Sequence, residues 1–308
     1  MNERAVSDAT ASPASPAPPH HRPESLFTAG ARLGFDFAQA TLEVATATVG
    51  DAELQRVSPS DDLGRPVLVI PGLTGNEKSV RRLVEYLCSR GFVATAWPLG
   101  RNLGPRGGET FETHLDSVMM VIGPMLRSLA DTTSQPVSLV GHSLGGVLAR
   151  EIGRRLAPEV DRLITLGAPV FGVGERDNPI ISRIGQQIRG RTSYLEMMSG
   201  HAYGHWDSQS PTRPCVSIIS PIDQVVDRDM AAIPVESLDP VVGPIRENVT
   251  VRSSHIGMTS NPFVLLAVAD RLLADAESWQ RFDPFRYFPH RLGPMVRHVY
   301  PPSPHAGQ

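Results

Sequence analysis

The sequence predicts an α/β fold, a mostly parallel central sheet flanked by helices. Two observations predict it. Short, near-continuous apolar runs recur along the chain, and helical patterns lie between them. Runs without clean alternation suit strands covered on both faces. Strand–helix–strand order implies parallel strands joined by crossover helices.

The elements follow in order. Residues 30–50 are a low-charge, Ala-rich helix candidate, expected to pack on the sheet edge; a membrane-surface helix would want a Lys/Arg face that it lacks. Val67 to Ile70 is the first clear strand, closed by Pro71-Gly72. Ser79 to Arg90 carries Val80, Leu83, Val84 and Leu87 at helical spacing. Phe92 to Trp97 is the next strand, and Phe111 to Leu129 the next helix. Val137 to Val140 runs into Gly141, and Leu144 to Leu156 is helical. Leu163 to Leu166 precedes Gly167-Ala168-Pro169. Cys215 to Ile219 is a fifth strand, Asn248 to Val251 a weak sixth, and Pro262 to Leu273 the last strong helix. Phe171 to Pro214 has Gly, Pro and aromatics without a strand signal, and is read as a lid over 171–214. Residues 1–24 form a Pro/Ala/Ser-rich tail, 30–280 the catalytic domain, and 281–308 a C-terminal extension.

Composition narrows the function. A chain of 308 residues can bury a large core without staples. A net charge of -3 argues against a nucleic-acid partner, which needs a basic face. Two cysteines, Cys88 and Cys215, exclude a disulfide framework or a Cys-rich zinc module. No apolar run reaches the ~20 residues of a membrane span. MNERAVSDAT lacks a secretory apolar region, so a cytoplasmic location is expected.

Gly141-His142-Ser143-Leu144-Gly145 contains G-x-S-x-G. In a sharp strand-to-helix turn this spacing exposes the Ser143 hydroxyl, and small residues two positions away on either side avoid clashes. The motif follows a strand-like PVSLV and opens a helix-like LGGVLAREIGRRL, the context that confirms it. A serine hydroxyl needs a base. Of ten histidines, His255 fits best, in a loop between the last strand and the last helix. His142 adjoins the serine, but neighbours on a tight turn point apart. The base needs an orienting carboxylate. Asp223 follows the fifth strand and precedes His255; Asp227 is the alternative acid. Oxyanion donors are expected from the Leu144 N–H and from the loop Pro71 to Gly75, where Leu73 N–H is the candidate.

These residues together resemble the α/β-hydrolase superfamily on its lipase/esterase side, and more narrowly a bacterial group of lipase-like hydrolases. The stretches that carry the resemblance are VLVIPGLTG, AWPLGRNLGP, LVGHSLGGVLARE, ITLGAPVFG, SIISPIDQVVD and SSHIGMTSNPFVLLAVADRL. The resemblance implies an α/β-hydrolase fold with an inserted lid and ester hydrolysis through an acyl-enzyme, without a cofactor. It carries nucleophile, acid and base onto Ser143, Asp223 and His255. Many lipases have His-Gly where this chain has Pro71-Gly72, and the retained Gly lets the hole survive.

The expected substrate is a small-molecule or lipid ester, with transient contact to a lipid surface left open. An acyltransferase using the same triad, or a catalytically silent binding scaffold, are the alternatives. His201, His205 and Asp207 are read as polar lid surface, so no metal is expected. Arg101 to Gly108 reads as a solvated Gly/Pro/Arg loop.

Overall fold

The computed structural model describes residues 31–41, 43, 64–106, 108–169, 213–233, 237–238 and 245–303. Six strands are β1 (Pro66–Ile70), β2 (Val93–Ala96), β3 (Val137–His142), β4 (Val160–Leu166), β5 (Cys215–Ile219) and β6 (Arg246–Thr250). They form one sheet in the order β2-β1-β3-β4-β5-β6. Every neighbouring pair is parallel. The helices are α1 (residues 31–41), α2 (Glu77–Ser89), α3 (Phe111–Thr133), α4 (Leu144–Arg155), α5 (Arg228–Ala231), α6 (Pro262–Leu273) and α7 (Gly293–Val299).

The strand order places the site. From β1 the chain steps to β2 on one side, then crosses back past β1 to β3 on the other. The loops leaving β1 and β3 therefore part company. A crevice opens where they do, at the C-terminal edge of the sheet.

Alternate residues of each strand feed two cores. Leu68 and Ile70 of β1 and Leu139 of β3 pack with α3 and α4 on one face. Val67, Val69 and Val140 pack with α2 and α6 on the other. Both faces are covered, which is why these strands read as unbroken apolar runs. β6 differs: Arg246, Glu247, Asn248 and Thr250 are polar yet buried. Asn248 satisfies both polar groups of Ile233, accepting from its N–H at 2.8 Å and donating to its carbonyl at 2.9 Å. Glu247 accepts from Arg271 Nη1 at 2.8 Å, Trp279 Nε1 at 2.9 Å and the Phe282 N–H at 2.6 Å. Partners on α6 and the segment after it thus allow a charged residue inside the sheet.

The C-terminal segment continues this packing. Phe288, Val296 and Tyr300 are buried in the core shared with α2 and α6. The helix expected at the sheet edge is α1, and β6 is an edge strand of the sheet. α1 lies against the loop that leaves β6, through Asp36 and Glu43. The tail 1–24 and nearly all of the expected lid 171–214 fall outside the described residues, as do His201, His205 and Asp207. Among the described residues no helix is long and apolar enough to cross a membrane, and no cluster of three or more His, Cys, Asp or Glu could hold a metal.

Candidate active site

Ser143 stands between β3 and α4 with φ 52° and ψ -124°, a strained conformation for a non-glycine residue. Its N–H donates to the Leu166 carbonyl at 2.9 Å. The surrounding glycines are there because backbone crowds them. A Cβ on Gly145 would stand 2.6 Å from the Pro71 carbonyl oxygen, and one on Gly141 would stand 2.5 Å from Gly146 Cα. No rotamer relieves a clash with backbone, so the turn requires glycine at both positions.

Asp223 and His255 arrive from the next two strands. Asp223 follows β5, and its Oδ1 accepts the N–H groups of Val225 and Val226, both at 2.8 Å. Its Oδ2 faces His255 Nδ1 at 2.7 Å, with both side chains buried. This bond fixes the imidazole with its proton on Nδ1 and leaves Nε2 without a partner among the described residues. Asp227, the alternative acid, is exposed and stands before α5 instead. Ser220 ties the two loops together: its hydroxyl donates to the Ser253 carbonyl at 2.6 Å and accepts the Ser253 N–H at 3.1 Å. Gly167, at φ 51°, leaves room for the pair, since a Cβ there would lie 2.9 Å from Asp223 Oδ2 and 3.2 Å from His255 Nδ1.

Burial pushes the His255 imidazole toward the neutral form, but the Asp223 charge and hydrogen bond, with the Asp36 charge behind them, outweigh it and raise its pKa above 6.5. His142 goes the other way. Burial and the neighbouring His255 bring it down to about 3, against a hydrogen bond to the His255 carbonyl. It is therefore neutral at ordinary pH, and its Nε2–H donates to that carbonyl at 2.9 Å. The two rings lie 4.8 Å apart. His142 thus helps hold the His255 loop, a role its place beside the serine did not suggest.

Ser143, His255, Leu73 and Leu144 line one cavity of about 770 Å³. The backbone N–H groups of Leu73 and Leu144 have no acceptor among the described residues. No hydrogen bond joins Ser143 Oγ to His255 here, and catalytic bonds of this kind tighten when substrate binds. Leu33, Phe37 and Ala40 of α1 give the cavity an apolar wall, with Val225 and Ile256. Lys78 is the one charged side chain lining it among the described residues.

The loop of Leu73 is held from the segment AWPLGRNLGP. Asn102 is 1% exposed. Its Nδ2 donates to the Pro71 carbonyl at 2.7 Å, its N–H to the Gly75 carbonyl at 2.8 Å, and its carbonyl accepts the Thr74 N–H at 2.7 Å. The solvated loop expected over 101–108 is, at Asn102, a buried brace. Only its position in a Gly/Pro/Arg stretch was visible beforehand. Asp36 and Glu43 were also missed. Asp36 accepts the N–H groups of His255 and Ile256 at 2.8 and 2.9 Å. Glu43 accepts from the Ser254 N–H, from Ser253 Oγ at 2.9 Å and from Asn261 Nδ2 at 3.2 Å. Burial raises the Glu43 pKa against the lowering effect of these bonds. The available signal was their spacing: two acids seven apart on an Ala-rich helix share one face.

A family model described as palmitoyl protein thioesterase matches residues 66–208, from β1 past the turn at Ser143 and β4. A parallel sheet in this order, with an elbow after β3 and an Asp–His pair after β5 and β6, decides the class. The chain has an α/β-hydrolase fold. Solved structures similar to this chain include Est1E from Butyrivibrio proteoclasticus, at 15% identity, covering 70% of this chain and 90% of that one, with a TM-score of 0.49. The lipase BlEst2 of Bacillus licheniformis is 15% identical over 70% of this chain and 94% of its own, with a TM-score of 0.48. Lipase B of Aspergillus fumigatus is 14% identical over 74% of this chain and 57% of its own, with a TM-score of 0.46.

Proposed function

We propose that this chain is a serine hydrolase that cleaves carboxylic esters through an acyl-enzyme on Ser143. One observation carries the reading. His255, paired with Asp223 at 2.7 Å, lines the same cavity as a serine held at positive φ, beside two backbone N–H groups without an acceptor among the described residues. His255 Nε2 takes the Ser143 proton as Oγ attacks the ester carbonyl carbon. The carbonyl oxygen becomes an oxyanion and accepts from the Leu73 and Leu144 amides. Asp223 keeps the imidazole in the needed tautomer and stabilises the imidazolium. The imidazolium gives its proton to the leaving alkoxide, and the alcohol departs. Water then attacks the acyl-enzyme, its proton passing to His255 and back to Ser143 Oγ as the acid leaves. The apolar wall from α1 suits the acyl chain.

The test is hydrolysis of nitrophenyl esters graded by chain length. Ser143→Ala should lose activity by a factor on the order of 10⁶ if it is the nucleophile. Activity unchanged in this variant ends the proposal. The match to a thioesterase family model favours a second reading on the leaving group. A thiolate leaves without protonation, so the same residues would cleave acyl thioesters. Comparing kcat/KM on an oxyester and a thioester of one acyl chain separates the two. Adding an alcohol and measuring transfer against hydrolysis tests for an acyltransferase.

A further inference from the structure

We propose that Asp36 is a positioning residue for this reaction, holding the base from the helix that also walls the acyl side of the cavity. This rests on the assignment of Ser143 and His255 above. Asp36 is 0% exposed. No Lys or Arg pairs with it among the described residues. Its two carboxylate oxygens take the His255 N–H at 2.8 Å and the Ile256 N–H at 2.9 Å. An ionised carboxylate is costly to bury unless its acceptors are filled. Among the described residues, the only groups that fill them are main-chain amides of the His255 loop, so the charge is committed to that loop.

The same helix does two jobs because of its period. Leu33, Phe37 and Ala40 recur at i, i+4 and i+7 and line the cavity. Asp36 and Glu43, also seven apart, meet the loop on the adjoining face. A shift of α1 by an acyl chain therefore moves the anchor of the base. The charged and titratable groups around His255 among the described residues are Asp223, Asp36 and His142, with Glu43 behind Ser254 and Lys78 across the cavity.

Asp36→Asn tests this. It removes the charge and sets a donor against one of the two N–H groups. Activity is measured per active site, titrated with a fluorophosphonate, against pH. On a short ester we expect kcat to fall about tenfold with KM unchanged, the loss of one charge-assisted hydrogen bond. The acid limb of kcat/KM should also move to lower pH, because an imidazolium without Asp36 is less stabilised. A role in folding alone would lower the melting temperature and leave both limb and per-site kcat in place, and that result overturns the proposal. If Asp36→Asn does not fold, Asp36→Glu keeps the charge but displaces it. Its limb should stay and its kcat should fall; a kcat equal to the parent overturns the proposal. The two readings fail separately. Activity surviving in Ser143→Ala removes the nucleophile. A silent Ser143→Ala beside an unaltered Asp36→Asn removes only the role of Asp36.

Discussion

Asn102 offers a way to perturb the proposed oxyanion loop without touching the cavity lining. Asn102→Ala deletes the Nδ2 donor that meets the Pro71 carbonyl at 2.7 Å and the Oδ1 acceptor of the Gly104 N–H at 3.2 Å. It leaves the main-chain bonds from Asn102 to Thr74 and Gly75 in place. An unmade bond to a buried carbonyl costs about 1–3 kcal/mol. If the loop gives way to relieve it, that energy comes out of the alignment of the Leu73 N–H. At roughly 1.4 kcal/mol per decade of rate, the range is about five- to 150-fold. The ceiling is the full loss of one oxyanion donor, about 2.7–4 kcal/mol. Because the main-chain brace survives, a fall in kcat of about ten- to fiftyfold is expected, with KM within about twofold. Asn102→Asp keeps the volume but turns an oxygen toward the Pro71 oxygen, and should lose at least as much. The assay is steady-state ester hydrolysis beside a thermal melt. A folded Asn102→Ala protein with kcat within about twofold of the parent refutes the reasoning.

Four further outcomes follow from the titrating and buried groups. His255 carries a pKa raised above 6.5, so the acid limb of kcat/KM should lie above pH 6.5, and a limb below it contradicts the pairing with Asp223. By the same linkage the Asp223–His255 pair stabilises the fold fully below about pH 6.5, and that contribution is lost as pH rises through the raised value. His142, brought down to about 3, should show no titration above pH 5 in a histidine NMR titration; a midpoint near 6 rules out its buried hydrogen bond to the His255 carbonyl. Glu247→Ala strips the buried Arg271 of a partner and should cost about 3–5 kcal/mol of stability, a fall in melting temperature of about 6–20 °C. Its per-site activity should hold at low temperature, and a melting temperature within about 2 °C of the parent contradicts the network.

The parts of the fold that obey local rules were legible. β1, β3 and β5 are buried on both faces and read as apolar runs, and α6 begins and ends where its pattern does. The turn at Ser143 was legible from its local glycine spacing: Gly141 answers to the backbone of Gly145 and Gly146 in the same turn, although Gly145 answers to Ile70 and Pro71 at the end of the neighbouring strand. β6 was faint for a physical reason: RENVT is polar, and it stays inside only through Arg271, Trp279 and Ile233, which no local window includes. The supports of the site were hidden in the same way. Asp36 reaches a residue 219 positions away, and Asn102 one 31 positions away. Each looks like an ordinary polar residue until the sheet brings its partner near. The support that His142 gives was not legible, because its contact with the His255 carbonyl lies 113 positions along the chain.

Covalent labelling bears most directly on the central claim. The folded protein is treated with a fluorophosphonate and its peptides are mapped by mass. One adduct on the Ser143 peptide is expected, formed far more slowly in His255→Ala. A folded, active protein that takes no adduct at Ser143, or takes it on another serine, contradicts the account.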